Sequence, residues 1–94
     1  MIHFSQEARS DIERVREFLS VNNPEAAKRA LQTIFAALER LKEFPGLGRP
    51  TKDPAIRQLV IPFGARGYVA RYTVRGKDNV LVLRLWHGRE ARPK

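Results

Sequence analysis

The chain has no cysteine, one methionine, one tryptophan and only two histidines. Without cysteine there is no disulfide and no thiolate metal site, and a reducing compartment is the simplest fit. His3 and His87 are unaccompanied by HExxH spacing, CxxC spacing or a carboxylate cluster. Metal centres and nucleophilic triads therefore drop out, and no cofactor is expected. Long apolar runs are missing too. The longest breaks at Arg84, far short of the roughly 20 residues a membrane span needs. The opening Met1-Ile2-His3-Phe4-Ser5-Gln6-Glu7 turns polar too soon for a signal peptide. A soluble cytoplasmic protein with no membrane contact is the expectation.

Acidic residues are scarce in one half only. Seven of the ten (Glu7, Asp11, Glu13, Glu17, Glu25, Glu39, Glu43) lie before Pro45, where they largely cancel the Arg and Lys around them. After Pro45, Asp53, Asp78 and Glu90 oppose eleven Arg and Lys residues. The formal net charge of +8 thus belongs to the second half, and it implies an acidic partner, whether nucleic acid or protein.

At 94 residues the chain is read as one domain, 1–94, able to bury a single modest core. Ile2-His3-Phe4 suits an edge strand, and Ser5 an N-cap. Ala8, Ile12, Val15 and Leu19 recur at helical spacing with Phe18 beside them, while Arg9, Glu13, Arg16 and Glu17 face water. Asn22-Asn23-Pro24 ends this helix and starts another, with Asn23 as cap and Pro24 at the first helical position. Ala27, Leu31, Ile34, Leu38 and Leu41 form the second apolar stripe, and the short connection makes an antiparallel hairpin. Gly46-Leu47-Gly48 follows a helix and lacks a downstream Gly-Lys-Ser/Thr, so it is a helix-to-strand turn and not a phosphate loop. Strands are predicted over 56–61, 68–74 and 80–87, with loops at 62–67 and 75–79. The fold class is α+β: two layers in the order β-α-α-β-β-β, with the helix hairpin packed on one face of a small antiparallel sheet.

Alternation along the last two strands selects a candidate surface. With Leu81, Leu83 and Leu85 inward beside Tyr68, Ala70, Tyr72 and Val74, the opposite face carries Arg71, Arg84 and Trp86. Arg57 joins them if its register turns that way. Guanidinium groups beside an indole suit an anionic or proteinaceous partner. His87 is either a general acid or base or a strand-end residue bonded to backbone. Arg89 extends the charge beyond Gly88.

The element order, the turn Pro45-Gly46-Leu47-Gly48-Arg49-Pro50, the run Gly67-Tyr68-Val69-Ala70-Arg71-Tyr72 and the ending Leu83-Arg84-Leu85-Trp86-His87-Gly88-Arg89 together resemble the RelE/ParE superfamily of type II toxins. The turn and the His-Gly-Arg ending are more similar to the ParE, or plasmid-stabilisation, branch. The resemblance implies a growth-inhibiting toxin held inactive by a cognate acidic antitoxin of the ParD kind. It implies one of two targets: DNA gyrase, poisoned without hydrolytic chemistry, or messenger RNA cut on the ribosome in the RelE manner. Val69 stands where the nucleases usually place Arg, the 57–60 stretch lacks lysine, and no tyrosine follows Arg89. RNA cleavage needs both a base and an acid. Arg71, Arg84 and Arg89 could supply charge for the phosphorane, with His87 and Arg89 as the catalytic pair of a nuclease. Only His87 could move a proton, so one of the two proton-transfer roles is unfilled and a gyrase poison is favoured over the nuclease. A small basic nucleic-acid-binding module is a third reading. The expected target surface is Arg57, Arg71, Arg84, Trp86, His87 and Arg89. The expected antitoxin contacts are Ile12, Val15, Leu31, Phe35, Leu38 and Trp86.

Overall fold

Ser5 closes one short strand and opens the first helix. In the computed structural model, which describes residues 1–88, strand β1 (Ile2–Phe4) leads into helix α1 (Gln6–Asn22). The Ser5 Oγ accepts from the Ala8 N–H at 3.0 Å, satisfying one of the helix's orphan donors, and donates to the Leu83 carbonyl at 2.9 Å. Asn23 then serves two helices. Its N–H bonds the Leu19 carbonyl to end α1, and its side chain accepts from the Ala26 N–H at 3.1 Å to cap α2 (Pro24–Glu39). Pro24 stands at the start of α2, where a missing N–H costs nothing. A 3₁₀ turn, Arg40–Lys42, leads out of the hairpin. Among the described residues no helix is long and apolar enough to cross a membrane.

Four further strands follow: β2 (Arg49–Pro50), β3 (Arg57–Ile61), β4 (Tyr68–Val74) and β5 (Val80–His87). They join β1 in a five-stranded sheet of order β1-β5-β4-β3-β2. The two-layer α+β architecture is the one the sequence predicts, with β2 as an added two-residue strand. The sheet is mixed, however, and not antiparallel throughout. The last strand returns beside the first, and Ile2–Phe4 pair in parallel with Val80–Val82. The core lies between the layers. Ala8, Ile12 and Val15 of α1 and Ala30, Ile34 and Leu38 of α2 pack on Leu59, Ile61, Tyr68, Ala70, Tyr72, Val82 and Leu85 of the sheet. Leu31 sits at the margin of this layer, half-buried, while Ala30 takes the inner position beside Ile34.

The inward face of β5 differs from the expectation. Tyr72 pairs with Val82 but Arg71 pairs with Arg84, so Leu83 is an extra residue with no partner opposite. One inserted residue inverts the alternation that follows it. Val80 and Val82 point into the core before the bulge and Leu85 after it, while Leu81 and Leu83 are half-buried outside it. The predicted inward trio of Leu81, Leu83 and Leu85 is therefore wrong in its first two members.

The Pro-Gly-Leu-Gly-Arg-Pro turn is clamped to β4. The Tyr72 hydroxyl accepts from the Gly48 N–H at 2.9 Å and donates to the Pro45 carbonyl at 2.7 Å. Gly48 is close to both walls of this pocket: a Cβ there would stand 2.8 Å from the Tyr72 ring and 2.9 Å from the Gln58 carbonyl oxygen. Arg57 adds a third tie, donating from Nη1 to the Gly48 carbonyl at 2.8 Å. It pairs in register with inward-facing Tyr72, so it does not join the Arg71 face. The reason is strand parity, and it removes Arg57 from the expected target surface.

Candidate functional site

Asp11 organises the end of β5. It lies on the buried side of α1, only 2% exposed, at a stripe position between Ala8 and Val15. Its carboxylate takes two bonds from Arg84, Nε to Oδ2 at 2.8 Å and Nη2 to Oδ1 at 3.2 Å. It also accepts from the Leu85 N–H at 2.8 Å and from Arg14 Nη1 at 2.6 Å. Arg14 completes a ring by donating from Nη2 to the Leu85 carbonyl at 3.1 Å. Burial by itself pushes the Asp11 carboxyl up. The hydrogen bonds from Arg84, Arg14 and the Leu85 N–H, with the Arg84 charge, outweigh that and hold it below its ordinary value. The same carboxylate strengthens the hold of Arg84 on its proton. Arg84 is thus a structural cation. It was expected to stand free on the open face; it does pair in register with Arg71, but its guanidinium is held by Asp11.

Arg71 and Trp86 do meet, but as a closed pair. The Arg71 guanidinium carbon lies 4.9 Å from the centroid of the Trp86 ring, and its Nε donates to Gln58 Oε1 at 3.3 Å. A flat guanidinium over an indole face gains both stacking and cation–π attraction. Trp86 is 4% exposed and lies outside the main core cluster. The predicted exposed platform is therefore covered, and Trp86 offers little surface to a target or to an antitoxin.

His87 faces the opposite way. It pairs with Tyr68 across β4 and β5, and the two rings meet edge to face at 5.2 Å. After the bulge this residue shares the helix side of the sheet with Leu85, so His87 is separated from Arg71 and Trp86. It opens onto an apolar groove of about 580 Å³ between α1 and the loop joining β3 to β4. Val15, Phe18, Leu19, Phe63 and Tyr68 line the groove with it, together with Arg14 and Arg66. Arg89 lies outside the described residues. Among the described residues no group of His, Asp and Glu is placed to hold a metal ion.

The expected antitoxin contacts divide in the same way. Ile12, Val15 and Leu38 are core residues, because the stripe they belong to is the one that packs on the sheet; of the three only Val15 reaches a surface feature, at the floor of the groove. Leu31 and Phe35 are accessible. They line a shallow depression of about 400 Å³ between the helices, beside Arg16 and Lys28, and Phe35 meets Phe4 edge to face at 6.1 Å. Sequence reasoning missed two features. One is Asp11, whose signal was a carboxylate at an apolar-stripe position. The other is the groove, whose signal was Phe18 just off that stripe; its side chain is 70% exposed.

Comparison with known proteins agrees with this architecture. Residues 2–92 match the family model described as the ParE toxin of the type II toxin–antitoxin system parDE. The chain is 41% identical over 88 residues to Toxin RelE1 of Caulobacter vibrioides, spanning 94% of this chain and 92% of that protein. It is 36% identical over 91 residues to Toxin RelE3 of the same organism, spanning 97% of each. A solved chain from the chromosomal ParDE toxin–antitoxin system of P. aeruginosa superposes with a TM-score of 0.75 at 26% identity, covering 92% of each chain. The chain therefore belongs to the RelE/ParE superfamily and is the toxin component of a bacterial type II toxin–antitoxin system.

Proposed function

We propose that this toxin arrests growth by binding its target and not by cutting RNA, that the target is DNA gyrase, and that a cognate acidic antitoxin of the ParD kind neutralises it. One observation carries the reading: the cations expected to meet a scissile phosphate are engaged within the protein. Arg84 is held by Asp11, Arg71 lies over Trp86, and His87 opens on the other side of the sheet. Cleavage through a ribose hydroxyl needs a base, an acid and charge on the phosphorane gathered around one phosphate. No His stands with Arg71 and Arg84 among the described residues, and the groove that holds His87 offers one proton-transfer group and not two. The ParE description of the matching family and the ParDE origin of the similar solved chain support the same side.

The RelE-like reading has its own support. Both curated relatives bear the name RelE, and His87 shares its groove with Arg14 and Arg66. On that reading His87 would be the proton-transfer group. The purified toxin distinguishes the two when assayed against gyrase supercoiling and DNA cleavage and, in parallel, against a reconstituted translation reaction. Gyrase inhibition with trapped cleaved DNA and intact translation is the expected result. Arrested translation with cuts in the ribosome-bound message, lost in His87→Gln, would replace it by the nuclease.

A further inference from the structure

The end of the sheet remote from His87 carries a row of unpartnered cations. Strand β1 starts there, β4 turns into β5 through 75–79, and β2 meets β3 through the 51–56 loop. The eight residues of β5 put His87 about 20 Å away. Arg49, Lys52, Arg57, Arg75 and Lys77 gather at this end against Asp53 and Asp78. Arg57 is tied to the Gly48 carbonyl. The side chains of Arg49, Lys52, Arg75 and Lys77 are exposed and, among the described residues, have no hydrogen-bond or ion-pair partner. Both connections are braced. The Thr51 hydroxyl donates to the Ile56 carbonyl at 2.9 Å, and Asp53 Oδ1 accepts from the Ala55 N–H at 2.9 Å, which engages that carboxylate within its own loop. The Thr73 hydroxyl donates to the Ala55 carbonyl at 2.6 Å and so ties the loop to β4. The Arg75 N–H closes the other turn on the Asn79 carbonyl at 2.8 Å, and the N-terminal amine donates to the Asp78 carbonyl.

Such a surface suits a regular polyanion. Neither 51–56 nor 75–79 contains an aromatic residue, so they offer no platform for unpaired bases and no anchor for a protein partner's pocket. What they offer is charge at fixed positions. From Met1 to the 51–56 loop the row crosses four strands, roughly 15 Å at ordinary strand spacing. A duplex carries about one charge per 1.7 Å of axis, so several phosphates lie within that reach. A second copy of the chain would meet like charge instead. We propose that this loop end, through Lys52, Arg75 and Lys77 with Arg49 beside them, binds the phosphate backbone of duplex DNA without reading its sequence. The choice of DNA over RNA rests on the gyrase reading; the phosphate contact itself does not. The distance from His87 makes this a contact that positions the toxin on DNA and takes no part in proton transfer.

The test titrates purified toxin against a labelled DNA duplex of about 20 base pairs at several salt concentrations. Affinity should fall with salt, and the logarithmic slope should become shallower by roughly 0.9 in each of Lys52→Gln, Arg75→Gln and Lys77→Gln. The triple variant should bind at least tenfold more weakly, equally so on unrelated sequences, and should need correspondingly more protein to trap gyrase-cleaved DNA. Arg66→Gln, at the other end of the sheet, should bind within twofold of wild type. All these positions are exposed, so the thermal midpoints should match. Triple-variant binding within twofold of wild type would overturn the surface, while trapping of gyrase-cleaved DNA by the wild type would still uphold the gyrase reading. Duplex binding lost in the triple variant, with gyrase untouched by the wild type, would sink the gyrase reading and leave the surface standing. Tenfold tighter binding to an RNA duplex of the same sequence, or equal competition by polyglutamate, would overturn DNA as the partner.

Discussion

The Asp11 carboxylate holds the Arg84 guanidinium by both oxygens, across 73 residues of chain and from one layer of the fold to the other. This contact joins α1 to the far end of β5. It also pairs off one of the positive charges that strand alternation assigns to the open face, since a buried anion neutralises it in place.

Asp11→Asn should destabilise the domain by about 2–3 kcal/mol, because the substitution removes a buried carboxylate that accepts from Arg84, Arg14 and the Leu85 N–H and leaves two half-buried guanidinium groups without their counter-charge. For a domain of this size that corresponds to a fall of roughly 10–20 °C in thermal midpoint. Arg84→Ala should cost a similar amount and not behave as a neutral surface change. A double-mutant cycle read by chemical denaturation measures the pair directly. Additive single effects would show that the two side chains are not coupled.

The pH dependence follows from the same carboxyl. Its folded value lies below the ordinary 3.8, so the folded state binds this proton less readily than the unfolded chain does. The contribution is complete above 3.8 and is lost as the pH falls through the depressed folded value. Acid unfolding followed by circular dichroism should therefore be less steep below pH 3.8 in Asp11→Asn than in wild type. Identical acid limbs would remove Asp11 from the account.

Leu83 and Leu85 should differ sharply although both belong to one apolar run. Leu85→Ala opens a cavity in the core and should cost roughly 2–5 kcal/mol. Leu83→Ala acts on the half-buried bulge residue and should cost less than about 1 kcal/mol. Equal losses, measured by urea titration, would contradict the bulge register.

Gly48→Ala should destabilise by about 1–3 kcal/mol, because the added methyl meets the Tyr72 ring and a backbone oxygen, and neither can yield cheaply. Tyr72→Phe removes both hydroxyl bonds that pin the turn and should cost about 1–2 kcal/mol. Faster amide exchange at Gly48 in Tyr72→Phe checks the hydroxyl assignment, since that N–H loses its acceptor.

Arg71→Ala should uncover the indole of Trp86. Its fluorescence should shift to longer wavelength and become accessible to an aqueous quencher, with a stability loss of about 0.5–1 kcal/mol. Emission unchanged from wild type would mean that other groups bury the ring.

Much of the fold was legible because its signals are local. Asn23-Pro24 contains its own cap and start, and Tyr68, Ala70 and Tyr72 alternate cleanly with Val69, Arg71 and Thr73. The site was less legible because it depends on register. A single residue, Leu83, inverts the later part of β5, and nothing in an apolar run of Val and Leu marks which member is extra. Strand parity placed Arg71 and Trp86 on one face, but it could not say that they would stack on each other. Arg57 was turned inward by its pairing with Tyr72, a long-range fact. Asp11 was readable in principle, since a carboxylate in line with Ala8 and Val15 needs a partner. The partner, 73 positions away, was not.

The ring of bonds at Leu85 bears on how this toxin stays apart from its own copies. β1 covers β5 only along Val80–Val82, and beyond it β5 has no neighbour strand on that side among the described residues. There the Leu85 N–H and carbonyl are occupied by Asp11 and Arg14, side chains that stand in for the absent strand. At the opposite border β2 is two residues long and includes Pro50, which has no N–H to donate. Neither border therefore offers a long open template for sheet-to-sheet growth. Loss of Asp11 would open one of them, so the Asn variant should form aggregates at concentrations where the wild type remains dispersed, beyond what its lower stability alone would produce.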